Sequence, residues 1–269
     1  MRRISDSSGI SLIEMIIVIA ITAIVGSMVA VFLRAPLESY VAQDRRARLA
    51  DAADTALRRM TRDIRLALPN SVRVTQIGNV FYLEFLGTRS GGRYRAQGGG
   101  DILDFSVDDA SFDVLGPAIA MQAGDQIAVY NLGIPDADAW AGDTLVAYTG
   151  TGGNETNIAI APKPSPLPPF PLASPGNRFQ VVEGPVSYVC DPAAGTLTRY
   201  WGYAPAAAQR TSFDAATSQA LLAHRVNACS FTYQPGVTER GGLVSLTLNL
   251  SQAGETVRLY ASTQVSNQP

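Results

Sequence analysis

From Met15 to Leu33 the chain carries no charged residue, nineteen positions in a row. As a helix rising about 1.5 Å per residue, the run is about 28 Å long, close to the ~30 Å hydrocarbon core of a bilayer. β-branched residues dominate it. A lone segment in lipid must nevertheless satisfy its own backbone, and only a helix does so. Arg2 and Arg3 precede the run. The positive-inside rule holds them in the cytoplasm and sends the bulk of the chain across.

Three ordinary readings of such a run compete. A secretory signal peptide has a shorter apolar region, about 7–15 residues, followed by a small-residue cleavage site; Ser27-Met28-Val29-Ala30 is a weak one. A twin-arginine signal needs more than the bare Arg2-Arg3 pair. A plain uncleaved anchor fits the length. None of them accounts for Glu14, just before the run. A carboxylate in an apolar span costs about 2.5–3.5 kcal/mol at mid-span on the scale for Asp, and less near an end, so it implies a partner.

The stretch Gly9-Ile10-Ser11-Leu12-Ile13-Glu14 resembles the processing site of type IV pilins and type II secretion pseudopilins. The resemblance implies cleavage by a prepilin peptidase between Gly9 and Ile10, then N-methylation of Ile10. It also implies that Glu14 pairs with the N-terminal amine of a neighbouring subunit. Two opposite charges meeting in a low-dielectric bundle make physical sense, because either one alone would be costly there. Glu14 then sets register in assembly and catalyses nothing. Ile10 stands where an aromatic is frequent and Ser11 where threonine is, and Asp6 dilutes the basic leader.

Three further stretches, Arg62–Val74, Phe179–Tyr203 and Val265–Pro269, extend the resemblance to the MSHA (mannose-sensitive hemagglutinin) pilus biogenesis protein MshO family. This implies a minor type IV pilin acting in pilus initiation or assembly, in a priming or tip complex. The partners it implies are other minor and major pilins, prepilin peptidase, an inner-membrane assembly platform and membrane lipid. The implied location is the inner membrane, single-pass with a periplasmic β-domain, and then the pilus and cell surface. Two alternatives stand beside it. One is a J-type minor pseudopilin of type II secretion. The other is a tip adhesin using Tyr200, Trp201 and Tyr203, residues for which strand core is the plainer reading.

Beyond Leu33 the helical pattern continues. Pro36 should kink it, since the ring clashes with the carbonyl of Phe32. Ala53, Leu57, Met60, Ile64 and Leu68 recur at steps of three or four, an apolar stripe suited to a sheet. Asp44/Arg48 and Asp54/Arg58 are i,i+4 pairs on the wet faces. The basic cluster Arg45, Arg46 and Arg48 reads as a solvated face, with contact to phospholipid or a partner as the alternative. Pro69-Asn70 ends the helix.

Strand patterns follow at Val80–Leu86, Ile102–Val107, Gln126–Tyr130, Phe179–Val182, Val186–Cys190, Leu197–Tyr203, Ala228–Tyr233, Leu243–Leu250 and Val257–Val265. Asp191–Gly195 and Gln252–Glu255 read as hairpin loops. Ser90–Gly100 is glycine-rich and reads as flexible. Ala161–Pro175 holds seven prolines and reads as an extended connector. The expected fold class is α+β and pilin-like, with a long N-terminal helix packed on a β-rich C-terminal domain. Its parts are a leader at 1–9, an assembly helix at 10–33, an amphipathic continuation at 34–68 and a β-rich domain at 69–269.

Other chemistry finds little support. A formal charge of −2 with 16% charged residues gives no attraction to nucleic acid. His224 is the single histidine and has no nucleophile-elbow motif beside it. Gly150–Gly153 lacks the phosphate-loop pattern. Asp101, Asp104, Asp108 and Asp109 do not have EF-hand spacing. No cofactor is expected, and the chain does not read as an enzyme. Cys190 and Cys229 lack metal-ligand spacing. If exported they are expected to form a disulfide; the alternative is two separate buried thiols.

Overall fold

The computed structural model describes residues 11–163, 168–236 and 241–267. The chain divides into two compact units, Met1–Arg48 and Leu49–Pro269. The expected leader lies outside the described residues.

Helix α1 (Leu12–Arg65) holds Pro36 inside it. In the first unit most of its described residues are exposed, apolar side chains included, with Ala42 and Arg45 half-buried. Arg34 and Glu38 approach to 3.6 Å where the apolar run ends, and Asp44 and Arg48 form the expected pair at 3.0 Å.

The second unit begins with the last turns of α1. Ala53, Leu57, Met60 and Ile64 are buried there, as their spacing predicts, and Leu49 one turn earlier is buried with them. Asp54 and Arg58 pair at 2.6 Å on the opposite, wet face. The helix stops three residues short of Leu68. The Leu68 amide leaves the helical ladder and donates to the Leu86 carbonyl at 2.8 Å. The helix thus hands its chain directly to the sheet.

Among the described residues fourteen strands follow: β1 (Arg73–Ile77), β2 (Val80–Arg93), β3 (Ser111–Asp113), β4 (Ile119–Met121), β5 (Gln126–Ala128), β6 (Leu145–Ala147), β7 (Gly153–Glu155), β8 (Asn157–Ala159), β9 (Arg178–Asp191), β10 (Thr196–Trp201), β11 (Ser218–His224), β12 (Val226–Gln234), β13 (Gly242–Gln252) and β14 (Glu255–Val265). The fold is α+β. A seven-stranded sheet runs β1-β2-β9-β10-β11, with β5 added to β9 and β6 to β5. Strands β12-β13-β14 form a second sheet, and β3-β8 and β4-β7 are two-stranded ribbons.

Strand β9 organises this arrangement. One edge pairs with β2 from Phe81↔Cys190 to Arg93↔Arg178. On its other edge, Val186–Asp191 pair with β10 and Gln180–Val182 pair with β5. Two cores grow from its two halves. One gathers the α1 stripe, Leu83, Phe85, Tyr188, Leu197, Phe231 and the inward row Val244, Leu246, Leu248 and Leu250. The other gathers Tyr94, Phe112, Ile127, Ile158, Phe170 and Phe179.

Four local expectations change. Phe179–Val182 and Val186–Cys190 are one strand rather than two. Gly184 at φ 128° takes the irregularity beside Gly87, and Pro185 follows where pairing is already disturbed. Ile102–Val107 is not a strand. The Asp104 carboxylate accepts from the Ser106 amide and hydroxyl at 2.7 and 2.6 Å, while the Asp104 amide donates to Asp109 at 2.8 Å. These side-chain bonds replace a ladder. Ser90–Arg93, expected to be flexible, belongs to β2. A Cβ on Gly91 would stand 2.7 Å from the Phe179 carbonyl, and one on Gly92 would stand 3.0 Å from the Phe179 ring. Close strand approach therefore requires these glycines. Within the proline-rich segment residues 164–167 lie outside the described set, but Phe170 is buried and packs 6.3 Å from Phe105.

Two predictions follow from this packing. Met60→Ala should destabilise the second unit by about 2–5 kcal/mol, whereas Asp54→Ala, in an exposed pair, should cost under about 1 kcal/mol. Urea unfolding of the full chain in detergent, read by Trp140 and Trp201 fluorescence, measures both. The second concerns acid. The Ser106 hydroxyl and amide hold the Asp104 carboxyl below its usual range, and Asn157, then the Asp101 amide and Arg95, do the same for Asp113. Thr217 likewise lowers Asp214. Folded-state values below the unfolded ~3.9 stabilise the fold above that pH. The benefit disappears as pH falls through the folded values. The urea midpoint should drop between about pH 4 and pH 2, and Asp113→Asn should shrink that drop.

A candidate assembly segment at the N-terminus

Ser11 starts α1. Its Oγ accepts from the Glu14 amide at 3.2 Å and its carbonyl accepts from the Met15 amide at 3.2 Å. This is N-capping by a short hydroxyl side chain. Glu14 lies in the first turn, where the helix dipole favours negative charge. Its carboxylate has no cationic partner among the described residues. Gly9 and Ile10, the expected cleavage and methylation positions, lie outside the described residues.

The segment after Glu14 is apolar around its whole circumference. Met15, Ile16, Ile17, Val18, Ile19 and Ile21 are all exposed. A helix apolar on every face belongs in a core or a membrane. Its best 18-residue window has a mean hydropathy of 2.8 and is fully exposed in the chain alone. Among the described residues it is the one helix long and apolar enough to cross a membrane. Its two hydroxyls are already satisfied: Thr22 donates to the Val18 carbonyl at 2.6 Å and Ser27 to the Ile24 carbonyl at 2.7 Å. Neither demands water in a dry environment.

Residues 4–30 match the family described as the prokaryotic N-terminal methylation motif. The chain carries a type IV pilin-like prepilin signal. No curated protein and no solved structure matches it. The motif points to a pilin-like or pseudopilin protein. With the apolar helix it fits a membrane-anchored chain.

In the second unit the structure joins Cys190 of β9 to Cys229 of β12, with Cα atoms 6.6 Å apart. The bridge ties the two larger sheets together. The three aromatics considered for adhesion are engaged within the fold. Tyr200 stacks on Phe213 at 4.1 Å, Trp201 packs on the first core beneath Arg199, and the Tyr203 hydroxyl donates to Glu84 at 2.8 Å. Burial, then the Glu84 charge, pushes the Tyr203 hydroxyl well above its ordinary range, so it stays protonated. His224 is exposed on β11. Among the described residues no three His, Cys, Asp or Glu side chains gather as a metal site.

Three buried or half-buried polar clusters escaped the sequence reading, because each joins residues far apart in the chain. Glu84, 1% exposed, pairs with Arg73 at 2.6 Å, and that guanidinium lies 3.6 Å over the Trp140 ring. Arg73 also donates to the carbonyls of Ala206, Ala207 and Ala208 and so straps that loop to β1. Asp63 of α1 accepts from Tyr188 at 2.6 Å and from Arg199 at 3.0 Å. The fully buried Asn131 donates to the Pro69 carbonyl and accepts from the Ala139 amide and the Thr144 hydroxyl.

The disulfide spans 39 residues, and a loop of that size corresponds to about 4 kcal/mol in the chain-entropy model. Cys229→Ser should lower unfolding stability by about that amount, and added reductant should lower the wild-type urea midpoint while leaving the variant's unchanged.

Proposed function

We propose that this chain is a minor type IV pilin that takes part in starting or assembling a pilus of the MSHA type, in a priming or tip complex with other minor pilins. The observation that carries the reading is the N-terminal constellation. Gly9 precedes Ile10, Glu14 stands four residues further on, and an uncharged helix of bilayer length follows, all within the methylation motif. A prepilin peptidase would cut after Gly9. The freed and methylated Ile10 amine of one subunit would meet the Glu14 carboxylate of another. Both charges would then be removed from water together, so the pair would fix register where a lone carboxylate would oppose insertion. Subunits joined this way are related head to tail, an arrangement that extends rather than closes. The similarity at Arg62–Val74, Phe179–Tyr203 and Val265–Pro269 favours the MSHA assignment.

Mass and N-terminal sequence of the mature protein from native membranes test the first step. The expected chain begins at N-methylated Ile10. A start at Met1 would make it a plain anchor, and a start near Val31 an exported domain. Glu14→Ala should still be cleaved but should fail to enter filaments, a loss of at least tenfold in sheared pili by immunoblot. Deletion of the chain should remove pili; loss of exoprotein secretion with pili intact would point to the pseudopilin instead.

A further inference from the structure

Strand β14 is an outer strand of the β12-β13-β14 sheet. It pairs with β13 without a break from Gln252↔Glu255 to Gly242↔Val265. Among the described residues no backbone hydrogen bond reaches its other side. Such an edge offers a row of open N–H and C=O groups to any strand that lies along it, and folds usually blunt it with a bulge, a cover or short length. The other edges of the two larger sheets are blunted. Arg73 and Thr75 of β1 hold the loop at 206–209. The ladder of β11 shifts register at Leu197/Thr198 and that of β12 at Val226/Ala228. Strand β6 spans three residues. Strand β14 has no bulge, no proline and no lysine over its eleven residues.

Its two faces differ. Val257, Leu259 and Ala261 pack on the first core, yet each is only half-buried at the open side of the sheet. Thr256, Arg258, Tyr260 and Ser262 form the opposite, exposed row. The Tyr260 hydroxyl and Ser245 Oγ share a hydrogen bond at 3.1 Å. That bond leans the side chain toward β13, while the residue stays 64% exposed. Among the described residues Arg258 has no carboxylate within salt-bridge distance.

We propose that β14 is an interface between two copies of this chain, laid antiparallel edge to edge about a two-fold axis at Leu259. An axis placed on a residue keeps apolar row beside apolar row, whereas an axis between residues turns the apolar row of one copy to the polar face of the other. Three central registers then compete. Centring on Arg258 sets the two arginines opposite each other, which is destabilising. Centring on Tyr260 sets the two tyrosines opposite, but both side chains lean away from the edge toward Ser245. Centring on Leu259 sets Arg258 of each copy opposite Tyr260 of the other, so each guanidinium reaches an open ring and the cation–π contact is made twice. The same register sets Leu259 on Leu259 and Val257 on Ala261, which covers the half-buried row. It also sets Glu255 opposite Thr263, the hydroxyl that accepts from Arg65, so an acid meets a base. A foreign strand would need a partner for Arg258 and a cation for Tyr260 at matching places; this chain carries both. The contact is isologous and closes at two copies. It is separate from the head-to-tail contact proposed for the helix, and its test does not depend on maturation at Gly9.

The full chain carrying Thr256→Cys and Ser262→Cys, both at exposed positions, is treated in its own membranes with a short bismaleimide, which spares the Cys190–Cys229 bridge. Mass spectrometry reads the joined peptides. Residue 256 of one copy would face residue 262 of the other, whereas like positions would stand about 20 Å apart. The expected result is a dimer joined from 256 to 262, at least tenfold more abundant than with either single cysteine. Tyr260→Lys places two cations opposite each other at both sites and should cut that yield at least tenfold with an unchanged urea midpoint. Adding Arg258→Glu to it restores opposite charges and should recover the yield. Absence of the 256–262 link, a yield indifferent to Tyr260→Lys, or linkage of these positions to a different protein overturns the proposal.

Discussion

The second unit depends on one contact, the burial of a helical stripe from Leu49 to Ile64. Those side chains meet the inner rows of both larger sheets within a single cluster. Polar pins at the end of the helix fix its angle and register. Asp63 takes two donors from β9 and β10, Arg65 donates to Thr263 at 3.1 Å, and Leu68 opens the chain onto β2. Apolar burial supplies most of the attraction and is indifferent to direction, whereas hydrogen bonds supply the direction. The Asp63 cluster illustrates the division. The Tyr188 hydroxyl is held far above its usual range by burial and by Asp63, so it remains a donor at any physiological pH.

Much of this was legible in the residues because it is periodic. The stripe Ala53–Ile64 and the alternation along Val244–Leu250 announce a helix face and a strand face through spacing alone. The hairpin at Gln252–Glu255 was legible because Ala253 and Gly254 sit where the turn needs positive φ, at 48° and 85°. What stayed hidden was non-local. Ile102–Val107 has strand composition, yet Asp104 and Asp109 bind backbone amides and tie it into a loop. The short strands β3, β4, β7 and β8 span three residues each, too few for a period to show. Glu84 with Arg73, and Asn131 with Pro69, are partners that no window of sequence contains.

The candidate assembly segment shows the reverse balance. Its content is local, so the order Gly9, Ile10, Glu14 and then an apolar run could be read at once. Its physics remains unfinished within a single chain. The helix from Met15 to Phe32 exposes apolar side chains on every face and satisfies its own hydroxyls, and the Glu14 carboxylate lacks a cation among the described residues. These are the properties of a surface made to be covered. The second unit differs, with its disulfide, its satisfied Asn131 and its filled cores.

The route of β9 through the sheet has a consequence in time. Its partner β2 lies about a hundred residues earlier, with Phe81 opposite Cys190. While the chain is being made, β2 therefore waits for more than a third of the protein to emerge before its main neighbour exists. The α1 stripe waits too, since beyond β2 its cover comes from β9 and, later still, from β12 and β13. Closing such a distant ladder is slow compared with winding a helix. The first unit can adopt its helix while the second is still an open chain with exposed apolar edges, the state in which an unfinished β-protein is most prone to sticking. Anchoring by the apolar run would hold that open chain to a surface and limit its encounters with other copies until β9 arrives.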